Sequence, residues 1–138
     1  MDSILKGYLR VTQHFSQQFR THFGKMNLTF PQALTLSALA DGPTPISQLA
    51  ERIGSANSTT SGVVDRLERL GLARRVRSSA DHRVIMVEAT DKYHAMRKQT
   101  EMGVSEFFES LLNTLTPQEQ ETVTEGLRLL DKALAPRE

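Results

Sequence analysis

Apolar residues recur along this chain with a helical period up to Leu72, switch to an alternating period, and then return to the helical one. From Ile4 to Phe23 the set Leu5, Tyr8, Leu9, Phe15, Phe19 and Phe23 is separated by Arg10, Gln13, Gln17 and Arg20, which predicts one amphipathic helix of about five turns. Gly24 to Asn27 interrupts it. Thr29-Phe30-Pro31-Gln32 has the composition of a helix start, with Thr29 as cap, Pro31 in the first turn and Gln32 at the third position. Ala33, Leu36, Leu39 and Ala40 supply its core face, and Asp41 to Pro45 ends it.

The next two segments are short. Leu49, Ala50 and Ile53 form an apolar edge on a helix of barely two turns that Ser47 can cap and Gly54 can end. In the second, Thr60, Val63, Val64, Leu67 and Leu70 recur at helical spacing and leave Ser58, Thr59, Ser61, Gly62, Asp65, Arg66 and Arg69 on the opposite face. A helix whose first exposed turn carries only Ser, Thr and Gly can approach another surface closely, and arginines further along can reach past the point of approach. The major groove of DNA accepts that shape. A solvated helix face reads equally well if the helix is taken alone.

Beyond Leu72 the period changes. Val76, Val84, Ile85 and Val87 are β-branched, and Ser78 to Asp81 is turn-forming, which predicts a β-hairpin. Its arms and tip carry Arg74, Arg75, Arg77, His82 and Arg83 against one acid, Asp81. A polar recognition helix beside a cationic hairpin is a winged helix-turn-helix, mainly α with a small β-hairpin. The residues expected to meet DNA are Ser58, Thr59, Ser61, Gly62 and Arg66 on the helix and Arg75, Arg77, His82 and Arg83 on the wing. Asp81 is expected to hold Arg83 or the wing backbone, because a carboxylate facing phosphate would be repelled.

After the wing, Thr90 can cap a helix from Asp91 to about Asn113 with Met96, Thr100, Val104, Phe107, Leu111 and Leu115 as its stripe and Gly103 inside it. Thr116-Pro117-Gln118-Glu119 is a capping box with Pro at the first helical position, followed by the stripe Val123, Leu127, Leu130 and Leu134. The terminal helices carry more apolar face than a winged helix of about sixty residues can cover, so a second copy of the chain is the simplest partner. The expected organisation is one domain over residues 1–138, with a DNA-binding region at 28–90 and a helical dimerisation region formed by 1–27 and 91–138.

Charge sharpens this picture. Residues 1–100 hold 14 basic and 8 acidic side chains, a net +6, whereas residues 101–138 hold 3 and 8, a net −5. A cationic body with an acidic C-terminal segment suits a protein that meets a polyanion on one side. Cysteine is absent, which excludes disulfides, thiolate metal sites and cysteine-based redox sensing. His14 and His22 lie on the first helix without a carboxylate set beside them in sequence, so no metal and no cofactor is expected. No apolar run approaches the roughly 20 residues of a membrane span, and the N-terminus lacks a signal-peptide core, which points to a soluble cytoplasmic protein.

The residues themselves resemble a known family. Leu28-Thr29 with Gln32, Leu36 and Leu39, then Leu49-Ala50, Ser58-Thr59 with Ser61, Val64-Asp65-Arg66-Leu67-Glu68, Gly71-Leu72, Arg75, Asp81-His82-Arg83 and Thr90 stand in the order and spacing of the MarR (multiple antibiotic resistance regulator) family of transcription factors. The resemblance covers roughly residues 28 to 95, and the Asp-x-Arg of the wing is its most specific part. It implies a homodimer with intertwined terminal helices that binds operator DNA and is often released by a small effector, such as an aromatic acid or phenol. Three positions depart from the family pattern: Ala89-Thr90-Asp91-Lys92-Tyr93 replaces Leu-Thr-x-x-Gly, Ala56 stands where a capping Asp or Ser is usual, and Thr60 replaces an aliphatic residue.

Catalysis finds little support. The chain has no Gly-rich phosphate loop, no nucleophile motif and no paired carboxylates, and Ser58 to Ser61 lacks a neighbouring His or Lys to activate it. The sequence thus reads as a DNA-binding transcriptional regulator, a repressor at a palindromic operator, and the alternative is a winged helix used only for protein contacts.

Overall fold

The computed structural model describes residues 2–136, which form two compact units, a first reaching Val104 and a second starting at Ser105. Helix α1 (Ser3–Phe23) begins where Asp2 Oδ1 accepts the Ile4 amide at 2.7 Å. Its C-terminal half is anchored by aromatic rings, with Phe30 edge-on to Phe15 and Phe19 at centroid distances of 4.9 and 5.7 Å. Its N-terminal half is bare, and Ile4, Leu5, Tyr8 and Leu9 are exposed. A single 3-10 turn, Gly24–Met26, ends at Asn27 in the left-handed region with φ 54°.

Helix α2 (Phe30–Ser37) has the expected capping box: Thr29 Oγ1 accepts the Gln32 amide, and Gln32 Oε1 accepts the Thr29 amide. Leu39 is buried in the turn beyond the helix, whereas Ala40, expected in the core, is exposed because α2 has already ended. A two-residue strand, β1 (Thr44–Pro45), leads directly into α3 (Ile46–Ile53). The N-cap of α3 is Pro45 rather than Ser47, which lies within the first turn, and Gly54 closes the helix at φ 68°.

Helix α4 (Asn57–Arg69) buries Thr60, Val64 and Leu67 against this frame, while Leu70, expected on the same stripe, is its C-cap and 44% exposed. Strands β2 (Ala73–Arg77) and β3 (Ile85–Ala89) pair antiparallel with Arg75 opposite Val87, and β1 pairs with the other edge of β3, giving the order β1-β3-β2. The hairpin was expected; the third strand was not. Val84 falls in the loop.

The expected helix from Asp91 to Asn113 is two helices, α5 (Asp91–Arg97) and α6 (Val104–Leu112). Between them the Thr100 hydroxyl donates to the Arg97 carbonyl at 2.9 Å, and Arg97 Nη1 returns to the Thr100 carbonyl and hydroxyl. Such local side-chain bonds compete with the helical ladder. The Arg97 guanidinium then occupies the space beside the buried Gly103, where a Cβ would meet Nη2 at 3.1 Å. In the second unit, α7 (Pro117–Leu134) starts with the expected Thr116–Glu119 capping box, and Gln120 Nε2 donates to the Leu112 and Leu115 carbonyls at the end of α6. No residue of α7 is buried. Among the described residues, no helix is long and apolar enough to cross a membrane.

Candidate nucleic-acid interface

The buried stripe of α4 dictates which side chains face outward. Ser58, Thr59, Gly62, Asp65, Arg66 and Arg69 are exposed, and a Cβ at Gly62 would meet nothing within 4 Å, so this face is open for close approach. The helix begins at Asn57 with Ala56 as N-cap and no side-chain cap; neither Ser55 nor Asn57 fills that role. Its first amides are therefore unsatisfied by side chains.

The far end of α4 is tightly held. Gly71, at φ 75°, turns the chain, and three donors close the exit: Lys92 Nζ to the Leu70 carbonyl at 2.8 Å, Thr90 Oγ1 to the Gly71 carbonyl at 2.7 Å, and the Thr90 amide to the Leu72 carbonyl at 3.0 Å. The Thr90 hydroxyl was expected to cap α5, but it satisfies the recognition helix instead. Tyr93, which stands where the family pattern has glycine, is buried, and that burial pushes its phenol pKa upward.

The wing loop spans residues 78–84 between β2 and β3. Ser78 Oγ accepts the amides of Ala80 and Asp81, and the Val84 amide donates to the Asp81 carbonyl at 2.9 Å. Asp81 Oδ1 accepts both the backbone amide and Nε of Arg83, at 3.0 and 3.1 Å, while Oδ2 accepts Nη2 at 3.2 Å. The Arg83 side chain, and secondarily its amide, hold the Asp81 carboxyl below its ordinary value of 3.8. The pair is therefore formed at neutral pH and is lost only as pH falls through that lowered value. Arg83 itself remains 91% exposed, with its guanidinium oriented at the tip. Arg77 Nη1 donates to the His82 carbonyl at 2.7 Å, and the His82 side chain is exposed.

Thus the structure brings Ser58, Thr59, Gly62 and Arg66 to one open face, and His82 and Arg83 to a projecting tip. Arg75 and Ser61 are placed differently. The Arg75 side chain is 26% exposed and lies on α4, with Nη1 on Asp65 Oδ1 at 2.8 Å and on Glu68 Oε1, and Nη2 on Ser61 Oγ at 3.0 Å. The roles of Glu68, Thr90 and Lys92 in holding the wing and the end of α4 were not expected from the sequence; their partners lie 7, 19 and 22 positions away, in other elements of the fold. Among the described residues no group of three or more His, Cys, Asp or Glu could hold a metal ion.

Comparison with known proteins assigns this arrangement. Residues 26–84 match the model of the MarR family. The chain is 35% identical over 112 residues to the uncharacterized HTH-type transcriptional regulator YfiV of Bacillus subtilis (strain 168), a match covering 80% of this chain and 69% of YfiV. The chain belongs to the MarR family. A second relative, the HTH-type transcriptional regulator MgrA of Staphylococcus aureus, is 30% identical over 98 residues, covering 70% of this chain and 65% of MgrA. The solved structure of the PcaV transcriptional regulator from Streptomyces coelicolor, in complex with its natural ligand, superposes with a TM-score of 0.67 at 27% identity, over 91% of this chain and 89% of PcaV. The MarR winged helix is thus the fold of this chain, and the protein is a transcriptional regulator of MarR type with a DNA-binding helix-turn-helix.

Proposed function

We propose that this MarR-type regulator binds a palindromic operator as a homodimer and represses transcription, with α4 in the major groove and the wing tip in the adjacent minor groove. The observation that carries this reading is the pairing of an open Ser/Thr/Gly face, backed by fully buried Thr60, Val64 and Leu67, with a wing tip whose Arg83 is oriented by Asp81 and still exposed. A minor groove offers few distinguishing base edges and a strong negative potential, so Arg83 contributes charge and shape readout there. Arg66, exposed on the helix, is the side chain suited to a guanine edge.

An effector fits the same reading. PcaV was solved with its natural ligand. In the first unit of this chain, an open cavity of about 420 Å³ lies between the end of α1 and the α5–α6 link, with Arg20, His22 and Lys25 and one acid, Glu101, on its rim. That rim suits the carboxylate or phenolate of a small aromatic acid or phenol.

The test is a titration with mixed genomic DNA fragments across a salt series, followed by sequencing of the bound fraction. Arg83→Ala should weaken binding to all sequences and lower the slope of log affinity against log salt by about 0.9. Asp81→Ala should also weaken binding although it removes a negative charge. Binding of both operator and scrambled DNA by Arg83→Ala at wild-type strength would mean that the wing does not touch DNA, and no DNA binding at all would leave the winged helix as a module for protein contacts.

A further inference from the structure

Arg75 carries the same charge as the wing-tip arginine, but its surroundings assign it another task. Its side chain meets Ser61, Asp65 and Glu68, which lie at i, i+4 and i+7 on α4 and so form one stripe along two turns of the recognition helix. The grip has several points: Nη1 is shared between the two carboxylates, and Nη2 donates to the Ser61 hydroxyl at 3.0 Å and the Ser61 carbonyl at 3.3 Å. The backbone adds another, because the Arg75 amide donates to Glu68 Oε2 at 3.3 Å. Strand β2 is an edge of the sheet, and this bond satisfies an amide that no fourth strand pairs.

We infer that Arg75 is a positioning residue, which sets the angle and distance between wing and recognition helix and does not itself contact DNA. The inference rests on the proposed DNA binding. Charge arithmetic favours it over a swing of Arg75 to a phosphate. One guanidinium faces two carboxylates here, so its departure would leave Asp65 and Glu68 uncompensated on the face that approaches a polyanion. It would also strip the edge of β2 of its support. The same geometry removes Ser61 from base readout, since its hydroxyl and carbonyl both accept from Arg75. A lysine keeps the charge but not the planar fork that spans Asp65, Glu68 and Ser61 at once.

Direct contact and positioning predict opposite signs for one substitution. If Arg75 bound phosphate, Asp65→Asn would free it and remove a repulsive charge, and binding would tighten. As a positioning network, Asp65→Asn and Arg75→Lys should each weaken binding about tenfold. The probe is a duplex that the wild-type protein selects from a random-sequence pool, and the loss should be spread evenly over its base positions. Amide hydrogen exchange in the free protein supplies a readout without DNA: Arg75→Lys and Glu68→Gln should each speed exchange of the residue 75 amide several-fold while the thermal melt stays cooperative. Tighter binding by Asp65→Asn, wild-type affinity of Arg75→Lys, or unchanged exchange would overturn the inference. If the wild-type protein selects no duplex, the DNA-binding reading fails, and the exchange measurement still decides whether the clamp exists.

Discussion

Thr60 has no exposed surface, and its Oγ1 is a buried polar atom without a hydrogen-bond partner among the described residues. A buried hydroxyl left unpaired costs about 1–3 kcal/mol, and valine has nearly the same shape. Thr60→Val should therefore stabilise the fold by about 1 kcal/mol, raising the midpoint of thermal or urea unfolding, while operator affinity stays unchanged because the side chain faces the core. A destabilised variant would show that the hydroxyl has a partner after all. At this scale, legibility in sequence followed distance along the chain. The Thr29–Gln32 and Thr116–Glu119 capping boxes are readable because both partners lie within one helical turn. Asp81 and Arg83, two residues apart, are similarly local. Arg75 and Arg77 carry the same charge in the same strand, yet Arg75 turns to acids 7 and 10 positions back and Arg77 to the His82 carbonyl 5 positions on. Composition cannot separate them; only the packing of β2 on α4 does.

Periodicity places the elements well where a stripe is long and fails where tertiary bonds cut it. Helix α1, the α4 stripe and the hairpin follow their apolar patterns, whereas β1 is two residues including a proline and takes its extended shape from pairing with β3. The stripe from Met96 to Leu115 runs on through residues 98–103 although the helix does not, because Thr100 and Arg97 bond to each other's backbone there. The bare N-terminus of α4 belongs to the same scale. Ala56 has the extended backbone of an N-cap, φ −68° and ψ 151°, but no oxygen to accept an amide. Ala56→Ser supplies one, and should stabilise the protein by about 1 kcal/mol in chemical unfolding. Since the three donors at the other end of α4 already hold its exit, the gain should come without a change in the wing, observable as unchanged amide chemical shifts from Ala73 to Ala89. No gain in stability would mean that the first turn is satisfied in another way.

At the scale of the whole molecule, the apolar surplus read from the terminal stripes is visible as exposed side chains on α1 and α7. Ile4 is 66% exposed and Leu127 62%, and α7 has no buried residue within its own chain. Monomeric proteins rarely leave such continuous apolar faces in water. Covering a leucine fully is worth about 1.5–3 kcal/mol, so four or five such side chains per chain can exceed the roughly 8 kcal/mol of a micromolar dimer even after the cost of association. The division of the chain after Val104 was not legible, because one stripe continues through it. Because nothing in α7 is buried in the protomer, a charge on its apolar face should break assembly without unfolding the chain. Leu127→Glu is expected to sediment as a monomer at micromolar concentration, to keep its far-UV helical signal, and to lose operator affinity, since two recognition helices one DNA turn apart require two linked copies. Removal of the residues after Thr116 should go further and give monomer or aggregate, by uncovering Leu111 and Leu112 still more. Sedimentation of the unaltered protein as monomer alone under these conditions would overturn both the homodimer and its palindromic operator.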